Sequence, residues 1–337
     1  MKNRIKKLSS NIGFLSYSAV GGYEEMRGSY GDKFDHIDPT DKFGMTSFEE
    51  AEGEMARIAL NSALSKAGLS HTDIDLCVAG DLQNQCNATS LGLFSFGIPF
   101  IGVYGACSTC TEAIMTLCSF IEGREENDFL GCAITSSHNS SAEKQFRMPL
   151  EYGGVRSPSQ QWTATAAGAF ILGKGDHKAY VTEYMPGRII DGATADASNM
   201  GAAMSFAAAD SILHYFSETS TRPEEIDFIV TGDLGQVGSD ILRDILSKKI
   251  PRAASRHTDC GLLLYDRMTQ DCHSGASGCG TSAALLALEF LPSIKSGDIG
   301  DILFLSTGAL MNPTSVLRGN NIFGIAPLIR ISSKGVI

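Results

Sequence analysis

The chain has 337 residues, and 27 Lys plus Arg against 38 Asp plus Glu gives 27 − 38 = −11 at pH 7. At 43% hydrophobic and 19% charged, with 36 Gly, this is the composition of a globular protein, which excludes disordered and fibrous classes. The negative balance gives no electrostatic footprint for nucleic acid, and none is expected as a partner.

The N-terminus carries Lys2, Arg4, Lys6 and Lys7 ahead of a serine-interrupted apolar stretch, Ile12 to Val20. That stretch is too polar for a secretory signal, and no window approaches the roughly 18 to 20 apolar residues of a membrane span. Any membrane contact is therefore expected to be peripheral, for instance through those basic residues, which equally suit a solvated tail. Nine dispersed cysteines, an odd number, point to a reducing compartment.

Ser47-Phe-Glu-Glu50 is a capping box that predicts a helix through Met55, Ile58 and Ala59, with Gly68 as its stop. Asp73-Ile-Asp-Leu-Cys-Val-Ala-Gly-Asp-Leu82 then reads as a turn, a buried strand and a Gly-Asp loop. The apolar segment Ile98 to Tyr104 leads into Gly105-Ala-Cys-Ser-Thr-Cys110 and a helical stretch to Ile121. Cys107 thus sits at a strand-to-helix elbow, where free backbone N–H groups and the helix dipole are expected to favour its thiolate. A small buried apolar side chain is the other reading of such a cysteine. With Cys110 it also has the C-x-x-C spacing of a redox pair or half a zinc site, His257-Thr-Asp-Cys260 being the plausible complement.

A strand over Phe129 to Ser136 runs into Thr135-Ser-Ser-His-Asn139, Arg147 and Glu151-Tyr-Gly-Gly154. Strand ends of this kind hold ligands, and His138, Asn139 and Arg147 are donors suited to a carboxylate; an ordinary surface loop fits as well. Gly173-Lys-Gly-Asp-His-Lys178 is a polar break. Beyond it come an alanine-rich helix from Met200 to Phe216 and the strand-and-loop Glu225-Ile-Asp-Phe-Ile-Val-Thr-Gly-Asp-Leu234. His257 and Asp259 precede an apolar run, Leu262 to Tyr265; if that run is a strand, the two side chains share a face, and His257 can serve Cys107 as the minimal activating partner. Gly275-Ala-Ser-Gly-Cys-Gly280, a helix to about Ile294 and a strand over Asp301 to Thr307 complete the pattern.

The chain repeats itself. Residues 73–82 match 225–234 at an offset of 152, and the Gly105 elbow, helix and strand parallel those from Gly278 at an offset of 173. Two similar α/β halves are predicted, residues 1–175 with Cys107 and residues 176–337 with His257 and the Gly-rich loop, their pseudo-twofold bringing both loops to one cleft.

Taken in order, Gly80-Asp-Leu-Gln-Asn-Gln85, Gly105-Ala-Cys-Ser-Thr109, Thr135-Ser-Ser-His-Asn139, Gln145-Phe-Arg147, Glu151-Tyr-Gly-Gly154, Thr231-Gly-Asp-Leu234 and His257-Thr-Asp-Cys-Gly261 closely resemble the SpoVAD family of endospore-forming bacteria, from about residue 12 to residue 330. The broader likeness is to the thiolase and ketoacyl-acyl-carrier-protein synthase superfamily. The resemblance implies a thiolase-like α/β fold of duplicated βαβαβαββ halves in five layers, α-β-α-β-α. It also implies a spore protein without catalysis or cofactor, peripheral at the inner spore membrane, that binds dipicolinic acid within the SpoVA channel assembly, with other SpoVA membrane proteins as partners and a homodimer as an option. Dipicolinate would be taken up in sporulation and released in germination, with or without calcium.

By the same resemblance Cys107 holds the nucleophile position and His257 is the best match for the catalytic histidine. Gly280, before Thr281-Ser-Ala-Ala284, replaces an asparagine of the synthase III branch and supplies no side-chain donor, although Cys279 is adjacent. The set reads as incomplete, which leaves an acyltransferase using Cys107 as the alternative. For a planar dianion, the expected ligand residues are Cys107, His138, Asn139, Arg147, His257, Asp259 and Cys279.

Overall fold

A computed structural model describes residues 3–146 and 155–336. Among the described residues the main sheet has eleven strands; besides the short His36–Ile37, which pairs with the end of the first, they are β1 (Lys6–Gly21), β2 (Leu76–Gly80), β3 (Phe100–Gly102), β4 (Leu130–Ser137), β5 (Ala166–Lys174), β6 (Tyr180–Met185), β7 (Phe228–Thr231), β8 (His257–Asp259), β9 (Asp301–Leu305) and β10 (Leu328–Ser332). Their spatial order is β3-β2-β4-β5-β1-β6-β10-β9-β7-β8.

Read outward from the middle, the two sets of five repeat one another. In the first, β2 is parallel to β3 and β4, and the antiparallel pairs β4–β5 and β5–β1 follow. In the second, β7 is parallel to β8 and β9, followed by the antiparallel pairs β9–β10 and β10–β6. The sets join where β1 pairs with β6, from Lys6 opposite Tyr184 to Gly13 opposite Tyr180. The internal repeat in the sequence is thus matched strand for strand.

Helices form three layers around these strands. Helix α1 (Phe48–Ala67) starts at the expected box, Ser47 Oγ accepting from the Glu50 N–H at 3.2 Å, and ends at Gly68 with φ +67°. Its buried stripe, Met55, Leu60 and Leu64, packs with Ile134 and Ile171 on one outer face. On the other outer face, α4 (Met200–Glu218) and α5 (Gly235–Lys249) pack Met204, Ile212 and Leu242 against Ile229 and Leu303. Between the halves lie α2 (Thr109–Glu122) and α6 (Cys279–Leu285), the latter continuing through Leu286–Phe290 to Ser296. Ile114, Leu117, Leu285 and Leu291 meet Phe14, Phe170, Phe304 and Ile329 there in one cluster drawn from both halves. Each such side chain contributes about 1.5–3 kcal/mol by leaving water, so this central layer holds the halves in register.

Two elements differ from expectation. The apolar run Leu262 to Tyr265 is not a strand: Cys260–Leu263 is a short helix, and the strand is His257–Asp259 itself. It sits at the sheet edge beside β7, with His257 and Asp259 buried and Thr258 between them less so.

Candidate functional site

Both central helices begin at the same place. Cys107 lies in the turn Ala106–Ser108 that opens α2, and Gly278 and Cys279 open α6. Ala106 has φ +55°, a left-handed conformation that costs an alanine energy and aims the next side chain out of the turn. Leu82, Cys107, Ala142 and Cys279 form one buried cluster, with Phe146, the last residue of helix α3 (Asn139–Phe146), packed on it. Above Cys107 is a cavity of about 70 Å³, whose walls include Leu82, Phe146, Met200 and Met311 and whose polar groups include Thr163 and Ser277.

The group facing the Cys107 sulfur is a carboxylate. Asp233, in the loop after β7, lies beside the thiol and is itself fully buried. Its Oδ2 accepts from the Gly278 N–H at 2.8 Å and from Ser277 Oγ at 3.2 Å, and its Oδ1 from Thr307 Oγ1 at 2.9 Å. Burial, followed by the charge of Asp233, pushes the Cys107 thiol well above its usual range. This corrects the expectation of a stabilised thiolate. A helix terminus is worth about 0.3–1 kcal/mol, whereas desolvation beside a like charge shifts a buried group by several pKa units at about 1.4 kcal/mol each. Burial also raises Asp233, to about 6.

His257 is not the partner of Cys107. Arg243 Nε–H donates to its Nδ1 at 3.1 Å, so the proton is on Nε2, which donates to Thr231 Oγ1 at 2.8 Å. Thr231 in turn donates to Asp259 Oδ2 at 2.7 Å. Burial and then Arg243 push His257 down to about 3, so it is a neutral link in a chain of hydrogen bonds. Asp259 accepts from the N–H groups of Leu234 at 2.9 Å and Gly235 at 3.0 Å, which fixes the loop that carries Asp233. Both residues support the site from behind rather than lining the cavity.

His138 and Asn139 are likewise engaged elsewhere. The Ser140 N–H donates to His138 Nδ1 at 3.1 Å, leaving Nε2–H to donate to the Asp41 carbonyl at 2.8 Å. Asn139 donates through Nδ2 to the Thr163 carbonyl at 3.3 Å. Their contacts tie the strand-end loop to its neighbours instead of presenting donors to a ligand. Arg147 and the Glu151-Tyr-Gly-Gly154 stretch lie outside the described residues.

Cys279 does come to the cluster, its thiol donating to the Ser136 carbonyl at 3.0 Å, and burial raises it as well. Gly280 has no room for a side chain: a Cβ there would stand 2.2 Å from the Ala166 carbonyl oxygen. The backbone, not selection of a donor, dictates glycine at that position. Cys110 is buried in α2 among Ser282, Ser306 and Thr135, and no group of three or more potential metal ligands exists among the described residues. Asp233 carried no assigned role in the sequence reading, yet the repeat marked it: Gly232-Asp-Leu234 is the counterpart of Gly80-Asp-Leu82 at a strand end.

Comparison with known proteins agrees with this architecture. The family model of stage V sporulation protein AD (SpoVAD) matches residues 2–332. The chain belongs to the SpoVAD family. Stage V sporulation protein AD of Bacillus subtilis (strain 168) is 35% identical over 311 residues, spanning 92% of this chain and 91% of that protein. Among solved structures, 3-oxoacyl-[acyl-carrier-protein] synthase III from Aquifex aeolicus VF5 is similar with a TM-score of 0.57 at 15% identity, over 95% of this chain and 99% of that one. The tetronic acid condensing enzyme AbyA1 gives a TM-score of 0.59 at 14% identity, covering 95% and 99%. Cerulenin-bound OleA of Xanthomonas campestris gives 0.59 at 11%, covering 96% and 99%. The fold of this SpoVAD member is thus thiolase-like, and no helix among its described residues is long and apolar enough to cross a membrane.

Proposed function

We propose that this SpoVAD member is a binding protein that retains a condensing-enzyme cleft without its chemistry. It serves as the dipicolinic acid component of the SpoVA channel, acting in uptake during sporulation and release in germination. The observation that carries this reading is the Cys107–Asp233 pair, because a thiol held protonated against a buried carboxylate is a poor nucleophile at neutral pH. The cleft itself persists. Leu82, Phe146 and Met200 offer flat apolar contact for a ring, and Ser277 and Thr163 offer hydroxyl donors to a carboxylate. Arg147 follows Phe146 directly in sequence and is the cation we assign to the dianion, with calcium as a second source of positive charge. Other SpoVA membrane proteins are the partners in this reading, and attachment at the inner spore membrane is peripheral.

Calorimetric titration with dipicolinate, with and without calcium, and separately with acetyl-CoA tests this. Saturable dipicolinate binding without acetyl-CoA binding is expected, and Arg147→Ala should weaken it by about 1.5–3 kcal/mol. Acetyl-CoA binding with acyl transfer to Cys107 would instead support an acyltransferase, which the left-handed turn at Ala106 favours.

A further inference from the structure

Where the two halves join, the sheet holds a second pocket. Strand β1 pairs with β6 at Lys6 opposite Tyr184 and Lys7 opposite Glu183, then loses register, and pairing resumes with Ile12 opposite Val181. The residues from Leu8 to Asn11 thus face the single residue Thr182, and β1 bulges there. The chain beyond β10 crosses this bulge. The Val336 N–H donates to Asn11 Oδ1 at 2.7 Å, and a Cβ on Gly335 would stand 2.4 Å from the same oxygen, so the crossing requires glycine. The cavity left here is about 380 Å³, and its lining includes Lys7, Glu183, Asp301, Arg330, Ser332 and Lys334. It shares no lining residue with the Cys107 cavity.

Three cationic side chains line this pocket against two acids, a local reversal of the chain's net charge of −11. The acids are already engaged. Glu183 is buried, its Oε2 accepting from the Tyr215 hydroxyl at 2.6 Å, and Asp301 Oδ1 accepts from Arg330 Nε–H at 3.3 Å. The cations keep donors to spare. Lys7 Nζ stands 3.7 Å from Glu183 Oε1, a loose pairing for an exposed ammonium. Lys334 bonds through its backbone N–H, to Ser332 Oγ at 3.0 Å, and its ammonium has no partner among the described residues. Ser332 accepts that bond, which leaves its own O–H to donate. Arg330, largely buried, gives Nη1 to Thr221 Oγ1 at 3.4 Å, and its Nη2 makes no hydrogen bond among the described residues. The side-on fork of Nε and Nη2, which matches a planar carboxylate, already has Asp301 on its Nε. What remains is a guanidinium nitrogen, two ammonium groups and a hydroxyl, separate donors around one concavity. A tetrahedral phosphate, whose oxygens point apart, engages such a set at once.

We propose that this pocket at the join of the halves binds a phosphate group, held by Arg330 of β10, Lys334 just beyond it and Lys7 of β1. Lys7 belongs to the first half and Arg330 to the second, so the bound anion is an ionic bridge across the β1–β6 join. Of the N-terminal basic residues, Arg4 is held by Asp210 and the Pro186 carbonyl, whereas Lys7 lines this pocket. The phosphate belongs either to a soluble molecule or to a phospholipid headgroup, and the chemistry at the pocket is the same for both. Dipicolinate binding is not required by any step of this inference.

Inorganic phosphate is the probe, titrated calorimetrically into the full chain in about 0.15 M sodium chloride, which screens loose surface attraction. Saturable binding at one site is expected. Lys7→Gln with Lys334→Gln should weaken it at least tenfold and leave Tm in phosphate-free buffer unchanged, because both side chains are exposed. Sedimentation with vesicles of phosphatidic acid in phosphatidylcholine, against phosphatidylcholine alone, identifies the source. Binding to the acidic vesicles that inorganic phosphate competes away, and that the double variant loses, makes it a lipid headgroup. Phosphate binding without vesicle binding makes it a soluble phosphate. No saturable phosphate binding to wild type, or equal affinity in the double variant, overturns the proposal. Dipicolinate affinity should be the same in wild type and double variant. A fall in that affinity with no phosphate binding would make this pocket a carboxylate site, which overturns the proposal and moves dipicolinate away from the Cys107 cavity.

Discussion

Cys107 and Asp233 meet across the interface of the two halves, the thiol from the start of a central helix and the carboxylate from the loop after β7. The contact joins the two candidate chemical groups of the site, and its sign is wrong for a nucleophile. A cation or an imidazolium beside sulfur favours thiolate, whereas a carboxylate opposes it.

Removal of that charge should release the cysteine. Asp233→Asn keeps the shape and an acceptor oxygen but removes the like charge beside the sulfur, so the Cys107 pKa falls and its thiolate fraction at pH 7.5 rises. Iodoacetamide alkylation, followed site by site by mass spectrometry, should accelerate at Cys107 and stay unchanged at Cys110. Equal rates at Cys107 would mean that access, not charge, controls its reactivity.

His257 predicts an acid limb of stability. Its folded pKa, about 3, lies below the ordinary 6.5, so the unfolded chain binds the extra proton between those values. Its contribution is complete above about pH 6.5 and is lost as pH falls toward 3. Thermal unfolding of His257→Gln, which can still donate to Thr231, should show a shallower loss of Tm over that window than wild type. Parallel curves would place the acid sensitivity elsewhere.

Much of this was readable from residue order alone. The capping box at Ser47 and the stop at Gly68 fix a helix locally, and buried parallel strands such as Leu76–Gly80 announce themselves as continuous apolar runs, so the repeat and the elbow were visible. Side-chain direction was not. His257 and Asp259 share a strand face as expected, but the face turns toward Thr231 and Arg243, a consequence of which strand lies beside β8. The pocket at the join of the halves was hidden for a similar reason: Lys7 lies at one end of the chain and Arg330 and Lys334 at the other, and only the pairing of β1 and β10 with β6 brings them to one place.

Filling the cavity should separate binding from folding. Ala197 is partly exposed at the cavity wall, at the margin of the core of the second half, so a larger side chain there takes up cavity space. Ala197→Phe should weaken dipicolinate at least tenfold with Tm within about 3 °C of wild type, a shift expected of less than 1 kcal/mol. Unchanged affinity would place the ligand outside this cavity.

The free edge of β3 predicts self-association. Among the described residues Phe100–Gly102 pairs with β2 on one side only and ends the sheet. Next to it Phe94 is 80% exposed, and Leu91, Phe100 and Tyr104 are between 42% and 47% exposed. An uncovered apolar edge strand is a liability unless it is paired, and an identical edge related by a twofold axis satisfies both its backbone groups and its rings. Light scattering should therefore find a dimer at micromolar concentration. Phe94→Asp should yield a folded monomer, because that ring is already largely in water and its loss costs the core little. A wild-type monomer across that range would leave this surface for a different chain.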